Sequence, residues 1–295
     1  MAKQKAGKPV DEPTGTVTTG HVWDGIRELD TPLPRWWLWL FYATIVWAVI
    51  YWVLFPAWPM LKQATPGVLG YSSRQDVETD LRTVAAGRAV LDEKIAALSF
   101  DEIRADPALM DHARRSGASA FKIACVQCHG TGAEGSQKLG YPNLNDDDWL
   151  WGGTPEEVFT TISHGVRDKA DPKSRSSAMP AYGALGLLKP DQISDVADYV
   201  LSLAGTEHDA AAAERGAAVY NAQCFACHGK TGEGNKALGA PALRDAIWLY
   251  GGSHADIVAQ VTNPRMGMMP SWSARFGEAD RKKLALYVHS LGGGE

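Results

Sequence analysis

The chain is poor in cysteine. It has four in 295 residues, and all four lie in two short phrases, "IACVQCHG" at Ile123–Gly130 and "AQCFACHG" at Ala222–Gly229. None is left over for a disulfide framework. A surplus of basic charge is missing as well: 29 Lys and Arg stand against 34 Asp and Glu, a net charge of −5. That balance has the wrong sign for a nucleic-acid binder, so no nucleic-acid partner is expected. The sequence also lacks a phosphate loop, a nucleophile–base set and a plausible carboxylate pair, and no catalytic residue is assigned. From Trp36 to Leu61 charge is absent altogether.

That charge-free run has a physical meaning. At about 1.5 Å per residue, its first 20 residues or so already cover roughly 30 Å, the hydrocarbon thickness of a bilayer. Arg35 and Lys62 bracket it, and Trp36, Trp37, Trp39, Trp52 and Trp58 cluster at its ends as interfacial belts do. Pro56 and Pro59 mark the helix exit. The run is too long for a buried core helix. It also begins too late for a cleaved leader and has no small-residue cleavage site after it. One permanent span is expected. Lys3, Lys5, Lys8, Arg27 and Arg35 precede it, whereas only Lys62 and Arg74 follow closely. That bias places the N-terminus in the cytoplasm.

Residues 1 to about 20 read as a polar, mobile tail. His21–Trp37, "HVWDGIRELDTPLPRWW", reads as a short segment on the membrane surface. From Asp76 to about Arg115 apolar residues recur at helical spacing among charges, which suggests a solvated spacer helix. An internal repeat follows. "CHGTGAEGSQKLGYPNLNDDDWLWGG" matches "CHGKTGEGNKALGAPALRDAIWLYGG", and a Met-Pro step with a closing amphipathic helix recurs after each. Helices are expected at Pro155–His164 and about Asp191–Leu203 in the first copy. The second copy should have them at His254–Val261 and about Glu278–Leu291. Each unit is helical and roughly 90 residues long, a size that builds its core most easily around a large apolar ligand.

Cys-x-x-Cys-His is the pattern of c-type haem attachment. Two cysteines one helical turn apart can bridge to the two vinyl groups of a haem, and the adjoining histidine reaches the iron. Cys125, Cys128 and His129 therefore form one set, and Cys224, Cys227 and His228 another, for two covalently bound haem c groups. A zinc or disulfide pair is the rival reading of the cysteines. Met179 and Met269 each precede a proline at equivalent places in the repeat and are the candidate second axial ligands. Thioether sulfur is a soft ligand that favours ferrous iron and raises the potential. Met266 and Met268 compete with Met269 but lack the proline. His164 could reach an iron but reads better as a haem-edge or surface residue. His21, His112, His208, His254 and His289 read as surface or helix-end histidines. Trp149, Trp151, Trp248 and Tyr250 read as haem-packing core, with an indole N–H to a haem propionate as the second possibility. By default each methionine serves the haem of its own repeat, Met179 with His129 and Met269 with His228. An exchange between two tightly packed repeats stays open.

The order "WDGIRELDTPLPRWW", one span, then "CVQCH…MP…CFACH…MP" closely resembles the dihaem, membrane-anchored subunit III of cbb3-type cytochrome c oxidases. The haem motifs are common to many cytochromes. The juxtamembrane motif and "YPNLNDDDWLWGG" are far more specific. The resemblance implies an all-α chain with one N-terminal transmembrane helix followed by two tandem class I cytochrome c domains. The expected segments are a cytoplasmic part with the juxtamembrane motif (1–34), the span (35–61), a helical spacer (62–113), and cytochrome domains at 114–205 and 206–295. It further implies a single-pass protein of the bacterial inner membrane with periplasmic haem domains. Electrons would come from a soluble or anchored donor cytochrome c. They would go to a monohaem cytochrome c subunit and then to the catalytic haem b–copper subunit, where oxygen is reduced. The alternatives are an anchored dihaem donor to another reductase or dehydrogenase, and a dihaem peroxidase. A peroxidase needs an open iron, which two Met ligands would deny it. The spacer and first repeat are net acidic, densest at Asp146–Asp148, which suits a basic donor.

Overall fold

The structure, a computed structural model, describes residues 8–293 and is mostly helical. Lys3 and Lys5, used above for orientation, lie outside the described residues. The chain divides into two compact units, one up to Ala85 and one from Ala86.

The N-terminal unit opens with a β-hairpin, the exception to the helical expectation. β1 (Thr18–Trp23) pairs antiparallel with β2 (Ile26–Leu29). Asp24 and Gly25 turn between them with φ of 50° and 86°. Positive φ at both central residues is what a tight hairpin turn demands, and Asp-Gly supplies it cheaply. The tail before the hairpin is not wholly free: Val10 bridges to Val17, and Thr18 is fully buried. α1 (Arg35–Leu54) follows Pro34 and ends before Pro56. None of its residues is buried, and it is apolar all round. A soluble core helix would have a covered face. This one is long and apolar enough to cross a membrane.

The sequence suggests one solvated helix through the spacer, and the structure differs. α2 (Ser73–Ala97) stops at Ser99, whose hydroxyl and Glu102 form a capping box that starts α3 (Phe100–Ala105). Asp106 then caps α4 (Pro107–Ala124), with Pro107 in the first turn. Only the first part of α2 is solvated. Ile95, Phe100, Ile103 and Leu109 are buried in the same apolar cluster as the first haem motif. The expected domain start at 114 therefore falls inside α4.

The two repeats run in parallel order. α4 leads into α5 (Val126–His129), followed by α6 (Pro155–His164) and α7 (Pro190–Leu203). α8 (Ala210–Gln223) leads into α9 (Phe225–His228), followed by α10 (His254–Thr262) and α11 (Glu278–His289). The packing does not follow this order. α4 and α6 pack on α11, while α8 and α10 pack on α7. Each repeat has given its last helix to the other.

Equivalent residues make the two crossings. Gly117 and Gly216 each lie eight residues before the first cysteine of their motif. A Cβ on Gly117 would fall 2.3 Å from the Lys283 carbonyl oxygen of α11, and one on Gly216 2.0 Å from the Asp195 carbonyl oxygen of α7. Glycine is required at both because the backbones themselves meet there. Beside each crossing an aromatic pair packs at a tilt, Phe121 with Tyr287 at 5.4 Å and Tyr220 with Tyr199 at 5.0 Å. Arg215 grips the Asp195 carboxylate with two nitrogens across the second crossing.

Candidate haem sites

Each Cys-x-x-Cys-His motif sits where one helix ends and a single turn follows. Cys125 closes α4 and Cys224 closes α8, and both are half-buried, while Cys128 and Cys227 are exposed one turn on. His129 donates its Nδ1–H to the Pro142 carbonyl at 3.1 Å, and His228 donates to the Pro241 carbonyl at 3.0 Å. A carbonyl can only accept, so Nδ1 holds the proton and Nε2 keeps its lone pair for a metal. Burial lowers the pKa of both imidazoles, against the pull of those hydrogen bonds, and favours the neutral, ligating form.

The thiols fit attachment better than the rival readings. Burial, then the neighbouring cysteine, pushes the Cys125 and Cys224 thiols up to about 11. A redox dithiol has its thiolate stabilised instead. Among the described residues no three His, Cys, Asp or Glu side chains group so as to hold a metal ion, which leaves a structural zinc site without its further ligands.

Each methionine packs against the other repeat rather than its own. Met269 packs on the cluster that contains Cys125, Val126, Trp149 and Phe159. Met179 packs on the one that contains Cys224, Trp248 and Val258. Met269 is held against the first repeat by paired backbone bonds, Val166 N–H to Met269 O at 2.9 Å and Met269 N–H to Val166 O at 3.0 Å. Ser271 and Trp272 continue the seam, donating to the Ser163 and Ile162 carbonyls. In the opposite direction, Ala184 N–H donates to Thr262 O and the Tyr182 hydroxyl to Gln223 O. This crossed packing has a mechanical reason. Six residues join α7 to α8, so the two helices pack side by side, and the Met179 loop ahead of α7 travels with it into the second repeat. Met266 and Met268 are exposed, whereas Met269 is half-buried.

A haem fits the first of these sites on a further observation. The Trp149 indole N–H is buried with no acceptor among the protein atoms. A donor so placed wants an acceptor from the ligand, and a propionate is one. Trp151 and Tyr250 do something the repeat did not suggest. Trp151 covers Gly239 of the second repeat, and Tyr250 covers Gly140 of the first; a Cβ would come within 2.3 Å and 2.1 Å of those rings. Arg175 and Arg265, each four residues before its methionine, lie over these same rings.

His164 is half-buried and tied to the loop that follows α6. Its Nδ1 pairs with Asp171 at 2.9 Å. His112 and His254 also pair with carboxylates, Asp92 and Asp198. The acidic run is less of a surface patch than it reads. Asp147 is exposed, but Asp146 and Asp148 are half-buried beside Asp245, the repeat equivalent of Asp146. Burial, then repulsion from Asp245 and Asp146, pushes the Asp148 carboxyl up to about 6.

Comparison with known proteins places this geometry. Residues 15–62 match the N-terminal domain of cytochrome oxidase-cbb3, FixP, and residues 112–200 and 211–288 match cytochrome c oxidase, cbb3-type, subunit III. The chain belongs to the cbb3-type oxidase subunit III family. A cbb3-type cytochrome c oxidase subunit CcoP of Cereibacter sphaeroides is 50% identical over 99% of this chain and 98% of its own length. The subunit FixP of Sinorhizobium medicae is 52% identical over 98% of each chain. The subunit FixP of Rhizobium meliloti is 50% identical, again over 98% of each. The hairpin and α1 are thus as much part of the family's pattern as the haem motifs.

Proposed function

We propose that this chain is the membrane-anchored electron-transfer subunit of a cbb3-type terminal oxidase and carries two haem c groups. Cys125, Cys128, His129 and Met269 hold one, and Cys224, Cys227, His228 and Met179 hold the other. The observation that carries this reading is the twofold recurrence of one arrangement: a Cys-x-x-Cys-His turn, a histidine Nδ1–H fixed on a proline carbonyl, and a methionine loop delivered from the other repeat. Haem supplies a one-electron couple when bound. The His129 and His228 Nε2 atoms and the two methionine sulfurs would hold the irons and leave no position for substrate, and apolar side chains line both sites. Electrons enter from a donor cytochrome c and leave toward a monohaem subunit and the haem b–copper subunit that reduces oxygen. The N-terminus lies in the cytoplasm and the haem domains in the periplasm.

A tagged chain purified from detergent-solubilised membranes tests the reading. Two haem c per polypeptide are expected by pyridine haemochrome assay, together with co-purifying b-type haem and copper. One haem per chain, or a chain that purifies without copper and haem b, would return it to the class of lone anchored donors.

The exposed hairpin is a candidate contact with the partner subunits. Trp23 and Ile26 flank its turn and lie open to solvent, and Leu29 ends it. Trp23→Ala combined with Leu29→Ala is expected to release the chain from the oxidase while both haems stay attached. A complex that survives gel filtration with both changes in place would reduce the hairpin to a spacer.

A further inference from the structure

Arg167 stands in a segment that the second repeat lacks. Fourteen residues separate the end of α6 from Met179, but only six separate the end of α10 from Met269. Arg167 is half-buried in this extra length, and its backbone takes φ of 55°, the left-handed region that a non-glycine residue enters at a cost. Its N–H donates to Arg175 O at 2.7 Å, which holds that conformation. The guanidinium then points two donors at two different loops. Nε donates to Gly267 O at 2.7 Å, and Nη1 donates to Ser177 O at 3.1 Å.

The two acceptors are equivalent. Gly267 lies two residues before Met269, and Ser177 two residues before Met179. One planar cation thus joins the same backbone carbonyl in both methionine loops, at the place where the loops cross between repeats. Other bonds lie close by: Gly267 N–H donates to the Tyr250 hydroxyl, and the Ser177 hydroxyl donates to Leu238 O. The Asp168 carboxylate, in the same segment, adds a second tie nearby by accepting from Ser271 N–H at 2.8 Å.

We propose that Arg167 is a positioning residue that clamps the two methionine loops to each other, so that the sulfur ligands of the two irons are held or lost together. This rests on the reading of Met179 and Met269 as axial ligands. A guanidinium suits the task because its donors are fixed in one plane and it stays charged when buried. A loop that has lost its charge-assisted hydrogen bond samples open positions more often, and its sulfur is then displaced more easily by an added ligand.

The test uses the full chain with both haems attached. The readouts are the weak charge-transfer band of ferric His/Met haem and the affinity of ferric protein for imidazole, which competes with sulfur. Arg167→Gln is expected to weaken the band at both haems and to raise imidazole affinity at both by about tenfold, the scale of one lost charge-assisted hydrogen bond. Arg167→Lys keeps the charge but not the planar fork. It is expected to loosen both loops as well, by a smaller factor. It also carries the test if Arg167→Gln fails to assemble. A Lys variant indistinguishable from the wild type would mean that only charge matters and would overturn the clamp. So would a Gln variant in which one haem responds and the other does not. If the wild-type protein shows no sulfur band at either haem, the ligand reading fails first and the clamp falls with it.

Discussion

Met269→Leu is expected to strip the sulfur ligand from the haem on Cys125 and Cys128, a motif some 140 residues away in the other repeat. The Val166–Met269 backbone pair and the packing of Met269 beside Cys125 both point there. A chain with Cys224→Ser and Cys227→Ser isolates the question, because it keeps only the first attachment site. In that background Met269→Leu should abolish the remaining charge-transfer band, and Met179→Leu should leave it. The affected haem should also become harder to reduce, by on the order of 100 mV within the roughly 0.8 V that axial ligands span. Loss of a soft sulfur ligand destabilises ferrous iron more than ferric. The opposite result, a band lost with Met179→Leu and kept with Met269→Leu, would restore pairing within each repeat.

This pairing shows where sequence reasoning runs out. The cysteines, the histidines and the Met-Pro steps are legible because attachment chemistry demands fixed residue types at fixed spacing. The helices α6 and α11 begin where the pattern puts them, since Thr154 and the turn at Gly277 mark their starts. Which methionine faces which histidine is a different matter. Two copies with the same order of elements pack equally well closed or exchanged, and periodicity is blind to the difference. The usable signal was the connection "AGTEHD", too short to let α7 and α8 part. The hairpin was legible too. Asp-Gly between Val22-Trp23 and Ile26-Arg27 is a hairpin signal, but the prolines and tryptophans nearby read as a membrane-surface segment. Arg167 had no signal at all. Its role depends on two carbonyl oxygens that only the exchanged packing brings together.

Asp92→Ala is expected to cost the haem-binding unit about 3 kcal/mol, the low end of what breaking a buried ion pair costs. Lys283 of α11 is 3% exposed at its side chain and pairs with Asp92 of α2 at 2.9 Å and with Asp280 at 2.7 Å. His112 of α4 donates to the same Asp92 oxygen at 2.8 Å. One carboxylate thus ties three helices, and it joins the spacer to a helix that comes from the second repeat. Removing it leaves an ammonium with only its own-helix partner in an apolar setting, which is why the low end of the range applies. Guanidinium unfolding of the detergent-solubilised chain measures the loss. Asp92→Leu with Lys283→Met should recover most of it, since an apolar pair of similar volume needs no desolvation of charge. The acid side carries a second signature. Burial works to raise the Asp92 carboxyl, but hydrogen bonds from His112 and Lys283, aided by their charges, outweigh it and hold the group below its ordinary value. A carboxyl more acidic in the folded than in the unfolded chain contributes its full stability above the unfolded pKa, about 3.9. That contribution drains away as pH falls through the lower, folded value. Wild-type stability should therefore drop more steeply than that of Asp92→Ala below about pH 4, and the gap between them should narrow. Parallel acid limbs would mean that Asp92 titrates alike in both states and that the three-helix tie is not made.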